Sequence, residues 1–584
     1  MRWNDGMKKL ARYLRHFKKE VILGPFFKLL EAIFELIVPL VMAKIIDVGV
    51  KNGDTQYVLI MGGVMVVLGI AGLGFALICQ YFAARASQGV GTLLRNDLFA
   101  HILSLSHGEV DRFGTHSLIT RITNDINQIQ LAVAMLIRLV VRAPFLVIGA
   151  AVMAMMLDLQ LSLVFLAAAP LVALALYFVM SRSIPFYRVI QKKLDRISLI
   201  TRENLEGARV IRAFSKQEAE QKRFEQATED AMDSSVRVGK ISALLNPLTF
   251  AIMNIAIVAI IWFGGLRVNA GSLSQGQIIA FVNYMTQILL ALVVVANLVV
   301  IFTKASASAA RINEVLETQP AIADRAQDRM PAPYHGPKIQ FQDVSFSYPD
   351  AEEASLSHIS AEMLPGQTIG IIGGTGSGKS TLVSLIPRFY DVTQGAVLVD
   401  GVDVRDYPLE RLRQQIGVVP QQAVLFSGTL EENMRWGNEN ATQEQIAKAL
   451  RVAQAEEFVS KLPDGWQTKI AQGGKNLSGG QRQRLTIARA LVREPEILIL
   501  DDSASALDFA TDAALRKSLQ EETQGMTVIM VSQRAHTIRQ ADQIIVLDDG
   551  EVAGVGTHDE LFQGCEAYRE IVLSQQKEKE ASGR

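Results

Sequence analysis

Gly373-Gly374-Thr375-Gly376-Ser377-Gly378-Lys379-Ser380 fits G-x-x-x-x-G-K-[ST] at every position. An apolar run, Thr368-Ile369-Gly370-Ile371-Ile372, leads into it, and Thr381-Leu382-Val383-Ser384-Leu385-Ile386 leaves it with helical character. Strand, glycine loop, helix is the order the motif needs. Glycines let successive backbone N–H groups turn inward around a phosphate, and the following helix N-terminus adds its partial positive charge. In this pattern Lys379 reaches the β- and γ-phosphates and the Ser380 hydroxyl can ligate Mg²⁺. The alternative is a glycine-rich turn without a ligand. The full match in its proper context argues against that, and a nucleoside triphosphate is the expected ligand.

The 584 residues are too many for one core, so several domains are expected. A hydrophobic fraction of 49% and a mean hydropathy of +0.22 point to a membrane part. With 58 Lys+Arg against 59 Asp+Glu, no basic excess argues for nucleic acid. Cys79 and Cys565 fall in what read as different domains, so neither a disulfide framework nor a cysteine metal site is expected. The basic N-terminus lacks a short apolar core followed by a small-residue cleavage site, so no removable signal peptide is expected.

Upstream of the loop the chain is a series of apolar runs. Residues 1–20 come first: Lys8, Lys9, Arg12, Arg15, Lys18 and Lys19 alternate with Leu10, Tyr13, Leu14 and Phe17, as in an amphipathic helix on the inner membrane surface. Six candidate spans follow at about 21–46, 57–84, 131–157, 159–181, 241–266 and 278–303. Each is long enough to cross ~30 Å of hydrocarbon as a helix. The links at 47–56, 158 and 267–277 are short, whereas 85–130 and 182–240 are long and polar. The long links carry Arg85, Arg95, Arg112, Arg121, Arg182, Arg188, Lys192, Lys193 and Arg196, which puts them and both termini in the cytosol. Their midpoints, 113–118 and 203–211, are where helical hairpins would turn and touch whatever lies beneath the membrane. Glu31 and Glu35 lie one helical turn apart in the first span, and Arg138 and Arg142 one turn apart in the third. They line a transport pathway, where the glutamates would favour cationic ligands, or they pair between helices or lie near the headgroups.

Downstream, Lys304 to Thr318 reads as a polar helix, and Pro320, Pro331, Pro333 and Pro337 mark a linker over 319–337. From Lys338 to about residue 575 the chain reads as soluble α/β, with a polar tail at 576–584. A strand over 341–348 ends in Tyr348, an aromatic suited to stacking on adenine. Then come Val418-Val419-Pro420-Gln421, Leu477-Ser478-Gly479-Gly480-Gln481 at the start of a helix, the buried strand Ile497-Leu498-Ile499-Leu500-Asp501, and Ser505-Ala506-Leu507-Asp508.

In order and spacing these motifs resemble an ATP-binding cassette domain, and six preceding spans with two long excursions resemble the exporter branch of ABC transporters. The resemblance covers roughly residues 10–570, and the 477–481 signature is its most specific element. It implies an α-helical six-span transmembrane domain (21–318) followed by an α/β P-loop ATPase domain, with ATP and Mg²⁺ as ligands. It implies that the nucleotide is held by residues 373–380 with Thr381, that Tyr348 stacks on adenine, and that Ser380, Gln421 and Asp501 serve the metal. It also implies that Leu477, Ser478, Gly479, Gly480 and Gln481 close on a nucleotide bound to a second cassette, and that 113–118 and 203–211 are coupling helices. One chain holds one membrane half and one cassette, so a second chain is required.

Three positions depart from the family pattern. Asp502 stands where the family usually has Glu, the base that polarises the attacking water; Gln533 stands at the usual His; Gln472 stands where exporters usually have Glu. A misplaced base forfeits ~10²–10⁴ in rate, and a carboxamide cannot carry a proton as imidazole does. The departures resemble the degenerate subunit of a heterodimeric bacterial exporter. The expected partner is a half-transporter with Glu and His in place and a non-consensus signature. A slowly hydrolysing homodimer and a regulatory subunit that binds ATP without turnover are the alternatives. The expected activity is export of amphipathic drugs, lipids or short peptides across a cytoplasmic membrane by alternating access. Six spans exclude a soluble DNA-repair ATPase. Fusion of the membrane half ahead of the cassette disfavours an importer.

Overall fold

The computed structural model describes residues 5–323, 334–348, 351 and 353–582. Pro331 and Pro333 of the expected linker, and residues 583–584 of the expected tail, lie outside the described residues. The chain divides into two units, Met1–Leu103 with Thr115–Thr318, and Ser104–Gly114 with Gln319–Arg584.

The first unit is helical. Among the described residues, five helical stretches are long and apolar enough to cross a membrane: Thr55–Ser104, Thr115–Leu157, Leu159–Glu206, Gln217–Asn269 and Gln275–Glu317. At 1.5 Å per residue the 50-residue stretch is about 75 Å long, far more than a bilayer core needs. The first expected span also forms a continuous helix, Lys18–Lys44, with Pro25 and Pro39 inside it. Lys28, Glu31 and Glu35 make it more polar than the other five. Those charges are matched locally: Lys28 pairs with Glu31 at 2.6 Å and Arg142 with Glu35 at 2.6 Å. Pairing is how ionisable groups are tolerated at membrane depth. Glu35 and Arg142 therefore form an interhelical pair, and Glu31 is held within its own helix. Arg138, on the π turn Leu136–Val140, has no ion pair among the described residues.

Two local expectations shift. The N-terminal helix Asp5–Leu14 buries Leu10 and Tyr13, and the Tyr13 hydroxyl donates to Asp97 at 2.8 Å. These apolar residues of the helix face protein, not lipid. The first hairpin turn falls at His107–Phe113, ahead of 113–118. Ser106 and Glu109 form a capping box that starts this helix, and Gly114 ends it at φ 74°. The second turn is where expected: Leu159–Glu206 stops at Gly207, and Ala208–Ala213 follows.

The second unit is built on two main sheets. An antiparallel sheet runs in the order Leu356–Met363, Ile339–Phe346, Gln394–Val399, Val402–Asp403. The other runs Glu551–Gly556, Gln543–Asp548, Thr368–Gly373, Thr527–Val531, Ile497–Asp501, Ile416–Val419, parallel but for the first pair. Its central strands are buried on both faces, with every residue of Thr527–Val531 buried, as in parallel sheets covered by helices. Parallel pairing aligns the carboxyl ends of Thr368–Gly373, Thr527–Val531, Ile497–Asp501 and Ile416–Val419 along one edge. The loops that leave those ends therefore converge, although they are up to about 160 residues apart in sequence.

Candidate functional site

At that edge lies a cavity of about 510 Å³. Thr375, Gly376, Gly378, Lys379, Ser380 and Thr381 line it from the glycine loop, Gln421 from just beyond the strand Ile416–Val419, and Asp501 and Asp502 from the end of the strand Ile497–Asp501. Gln533 follows the intervening strand, and Tyr348 closes the far side. The loop conformation requires its glycines at two points. Gly376 and Gly378 adopt φ of 86° and 89°, a region that L side chains rarely enter. A Cβ on Gly373 would stand 2.1 Å from the Leu547 carbonyl oxygen. Lys379 is 8% exposed; its ammonium donates to the carbonyls of Gly373 and Gly374 at 3.0 and 2.5 Å and to the Ser377 hydroxyl at 3.3 Å. Burial lowers its pKa, against the pull of Asp502 and Asp501. A lysine held this way is aimed into the loop, where a phosphate oxygen can replace its carbonyl partners.

Beside it the Ser380 hydroxyl donates to Asp501 at 2.9 Å. The Gln421 amide donates to Asp502 at 3.3 Å, which leaves the Gln421 carbonyl oxygen to accept. A hydroxyl, a carboxylate and a carboxamide oxygen are hard donors of the kind Mg²⁺ takes together with substrate phosphates. The donor set fits that ion. Asp501 and Asp502 are both raised above the ordinary carboxylate range, chiefly by burial, with the Asp502 charge adding to the shift at Asp501. Asp502 stands at φ 44°, and its N–H donates to Val531 at 3.0 Å. Its short side chain is thus fixed beside Gln421. The Gln533 side chain is exposed, and its backbone carbonyl accepts from Gln575 at 2.7 Å.

Tyr348 follows the strand Ile339–Phe346. Its hydroxyl shares a hydrogen bond with Thr381 at 3.0 Å, which orients the ring against the first turn of the P-loop helix. Glu353, Ser355, Asp549 and Gly550 also line the cavity, and sequence reasoning missed them. Asp549 and Gly550 form a turn with φ of 44° and 79°. The Asp-Gly pair signals such a turn, but not that sheet order sets it beside the P-loop.

The 477–481 motif is not part of this cavity. Leu477 is 8% exposed and Ser478 caps the helix Gly479–Leu491: Gln481 N–H donates to the Ser478 hydroxyl at 3.2 Å, and Ser478 N–H to the Gln481 side chain at 2.9 Å. Gly479 and Gly480 present the free N–H groups of that N-terminus, a ready anion site. Nothing within the unit's own nucleotide cavity uses them. Gln472 lines a different groove, with Phe426 and Trp436.

Residues 21–292 match the ABC transporter transmembrane region family, and residues 356–505 match the ABC transporter family. An uncharacterized ABC transporter ATP-binding protein of Mycobacterium tuberculosis is 41% identical over 97% of either chain. An ATP-dependent lipid A-core flippase of Chromobacterium violaceum is 32% identical over 98% of either chain. Among solved structures, a bacterial Atm1-family ABC exporter with ATP bound matches at a TM-score of 0.80 and 24% identity, over 97% of this chain and 99% of that one. At that identity the likeness speaks for the fold.

Proposed function

The chain belongs to the ABC transporters that join a transmembrane region and an ATP-binding domain in one polypeptide, and from that premise we propose that it is the degenerate half of a heterodimeric exporter. It sits in the cytoplasmic membrane with both termini and the ATPase domain in the cytosol. Its partner is a second half-transporter with Glu at the base position, His at the switch position and an altered signature. The cargo is an amphipathic compound: a drug, a lipid or a short peptide. The flippase relative is named for lipid A-core, which favours the lipid end of that range. Ser380, Asp501 and Gln421 would hold Mg²⁺ against the phosphates of ATP, and the ion would offset the charge of the two half-buried aspartates.

The observation that carries this reading is the setting of Asp502. Its carboxylate is one methylene shorter than a glutamate, is hydrogen-bonded to Gln421 at 3.3 Å, and is fixed by a left-handed backbone. A general base must reach within ~2.6–3.2 Å of the proton it takes, and Asp502 starts further back and already engaged. Gln533 supplies no titratable ring to assist it. Meanwhile 477–481 is intact, capped and outside the cavity, as a motif serving another chain's nucleotide should be.

The test is ATP turnover of the purified pair against the single chain, with Asp502→Ala in each. Retention of most turnover by the variant pair supports the degenerate reading, and loss of all turnover sinks it. A slow homodimer is the second reading, favoured by the presence of Asp502 in one cavity with Lys379 and Ser380. It predicts that the single chain hydrolyses ATP and that Asp502→Ala abolishes this. A regulatory subunit without turnover predicts no change in the pair and none in the single chain.

A further inference from the structure

We propose that Tyr390 is a positioning residue that ties occupancy of the adenine pocket to the segment Ser104–Gly114. The proposal rests on the reading of Tyr348 as the residue that stacks on the base. Tyr390 meets Tyr348 edge to face, with centroids 5.3 Å apart at 83°. Phe346 packs against both rings, at 4.9 and 5.5 Å. The T-shaped contacts of Tyr348 are in the geometry aromatic groups prefer, and Tyr348 stays 37% exposed, which leaves room for a base.

On its other side Tyr390 leaves the nucleotide domain's own sequence. Its hydroxyl donates to Asp111 at 3.2 Å. His107, one turn earlier on the same short helix, packs its ring on Phe389 at 4.6 Å and on Tyr390 at 6.1 Å. Burial, with the nearby Asp111 charge, pushes the Tyr390 phenol up to about 12, so its proton stays in the bond to Asp111 at physiological pH. Ser104–Gly114 is the turn between the helix Thr55–Ser104 and the stretch that begins at Thr115, so a restraint on it acts on the ends of two membrane-region elements through the chain itself. Gln421 faces the phosphate end of the cavity, whereas the Tyr348–Tyr390–Asp111 contacts respond to the base end. Stacking of adenine holds Tyr348, Tyr348 holds Tyr390, and Tyr390 holds Asp111.

Amide exchange of Ser104–Gly114 in the full chain reads this directly. MgATP should slow exchange there by about fivefold, the equivalent of about 1 kcal/mol for one hydrogen bond made persistent. Saturating magnesium tripolyphosphate, which offers the P-loop its phosphates but has no base, should give less than half of that protection. Tyr390→Phe keeps the ring contacts and removes the hydroxyl; by reciprocal linkage its ATP affinity should fall by no more than about fivefold, and at saturating MgATP it should lose more than half of the protection. Asp111→Ala should do the same, the double variant should be no worse than either single one, and Asp111→Asn, which keeps an acceptor, should retain the effect. Equal protection by tripolyphosphate and ATP, or full protection in Tyr390→Phe, overturns the proposal. ATP affinity of Tyr348→Ala tests the underlying reading separately: unchanged affinity would remove adenine stacking, whatever Tyr390 does.

Discussion

Asp501 and Asp502 are adjacent carboxylates at the end of one buried strand, and both are raised above the ordinary range, chiefly by burial. An acid whose folded pKa exceeds its unfolded value of about 3.9 costs stability as pH rises through that window, because the folded state then binds the extra proton. Asp502→Asn should therefore raise the melting temperature of the nucleotide-free chain near neutral pH, and the gain should vanish below the ordinary carboxylate range. Melts at the two pH values check it; an equal gain at both would show that the charge is not the cause. Gly373 sets a different limit. Its would-be Cβ stands 2.1 Å from a backbone oxygen, which cannot swing aside as a side chain tip can. Gly373→Ala should displace the loop and weaken ATP binding by about tenfold or more, or about 1.4 kcal/mol, as read by titration. These residue identities were legible in sequence. Their environments were not, because the partial burial of Asp501 depends on the strands on either side of its own.

The helices of the first unit are joined by a few polar contacts whose partners are distant in sequence. Asp125, 3% exposed, accepts from Ser308 at 2.9 Å and from Arg311 Nε at 2.8 Å, while Arg121 pairs with Glu314 at 2.9 Å. Asp125→Ala removes the acceptor of the buried Ser308 hydroxyl, which keeps only the 3.3 Å bond it accepts from Arg311, and should cost about 1–3 kcal/mol. The half-exposed Arg311 can turn to water, which keeps the loss at that scale. A lowered melting temperature of the purified chain is the readout. Glu35 and Arg142 make the second test. Glu35→Gln or Arg142→Gln alone leaves one unmatched charge in a span and should reduce the yield of folded protein, and the double substitution should recover most of it. Failure of the double variant to recover would return the pair to the transport pathway. Sequence placed each acid and each base on one face of its helix. Only the packing of Lys18–Lys44 against Arg142–Leu157 decided that Glu35 meets Arg142; the Lys28–Glu31 pair is an i,i+3 contact within one helix.

At the scale of the whole molecule, the signature and the nucleotide cavity of one chain do not form one site. Gly479 is exposed and a Cβ there would meet nothing within 4 Å, so Gly479→Asp is tolerated sterically and even suits a helix N-terminus. A carboxylate in that place would oppose the γ-phosphate of a nucleotide on the partner. Turnover of the assembled transporter should fall by about 10²-fold, while ATP binding by the isolated chain stays the same; a fall in the isolated chain's own ATP binding would put the motif back in its own cavity. Local pattern alone carries the apolar runs long enough to span a membrane, the glycine loop between a strand and a helix, the helix start at 477–481, and the departures at Asp502 and Gln533. Covalent spacing and side-chain chemistry suffice for these. Which distant groups meet is left to the folded chain: Gln421 with Asp502, Glu35 with Arg142, Asp549 with the P-loop, and Tyr390 with Asp111. Those meetings follow from strand order and helix packing, where many weak contacts summed over the whole chain select one arrangement that no short stretch encodes.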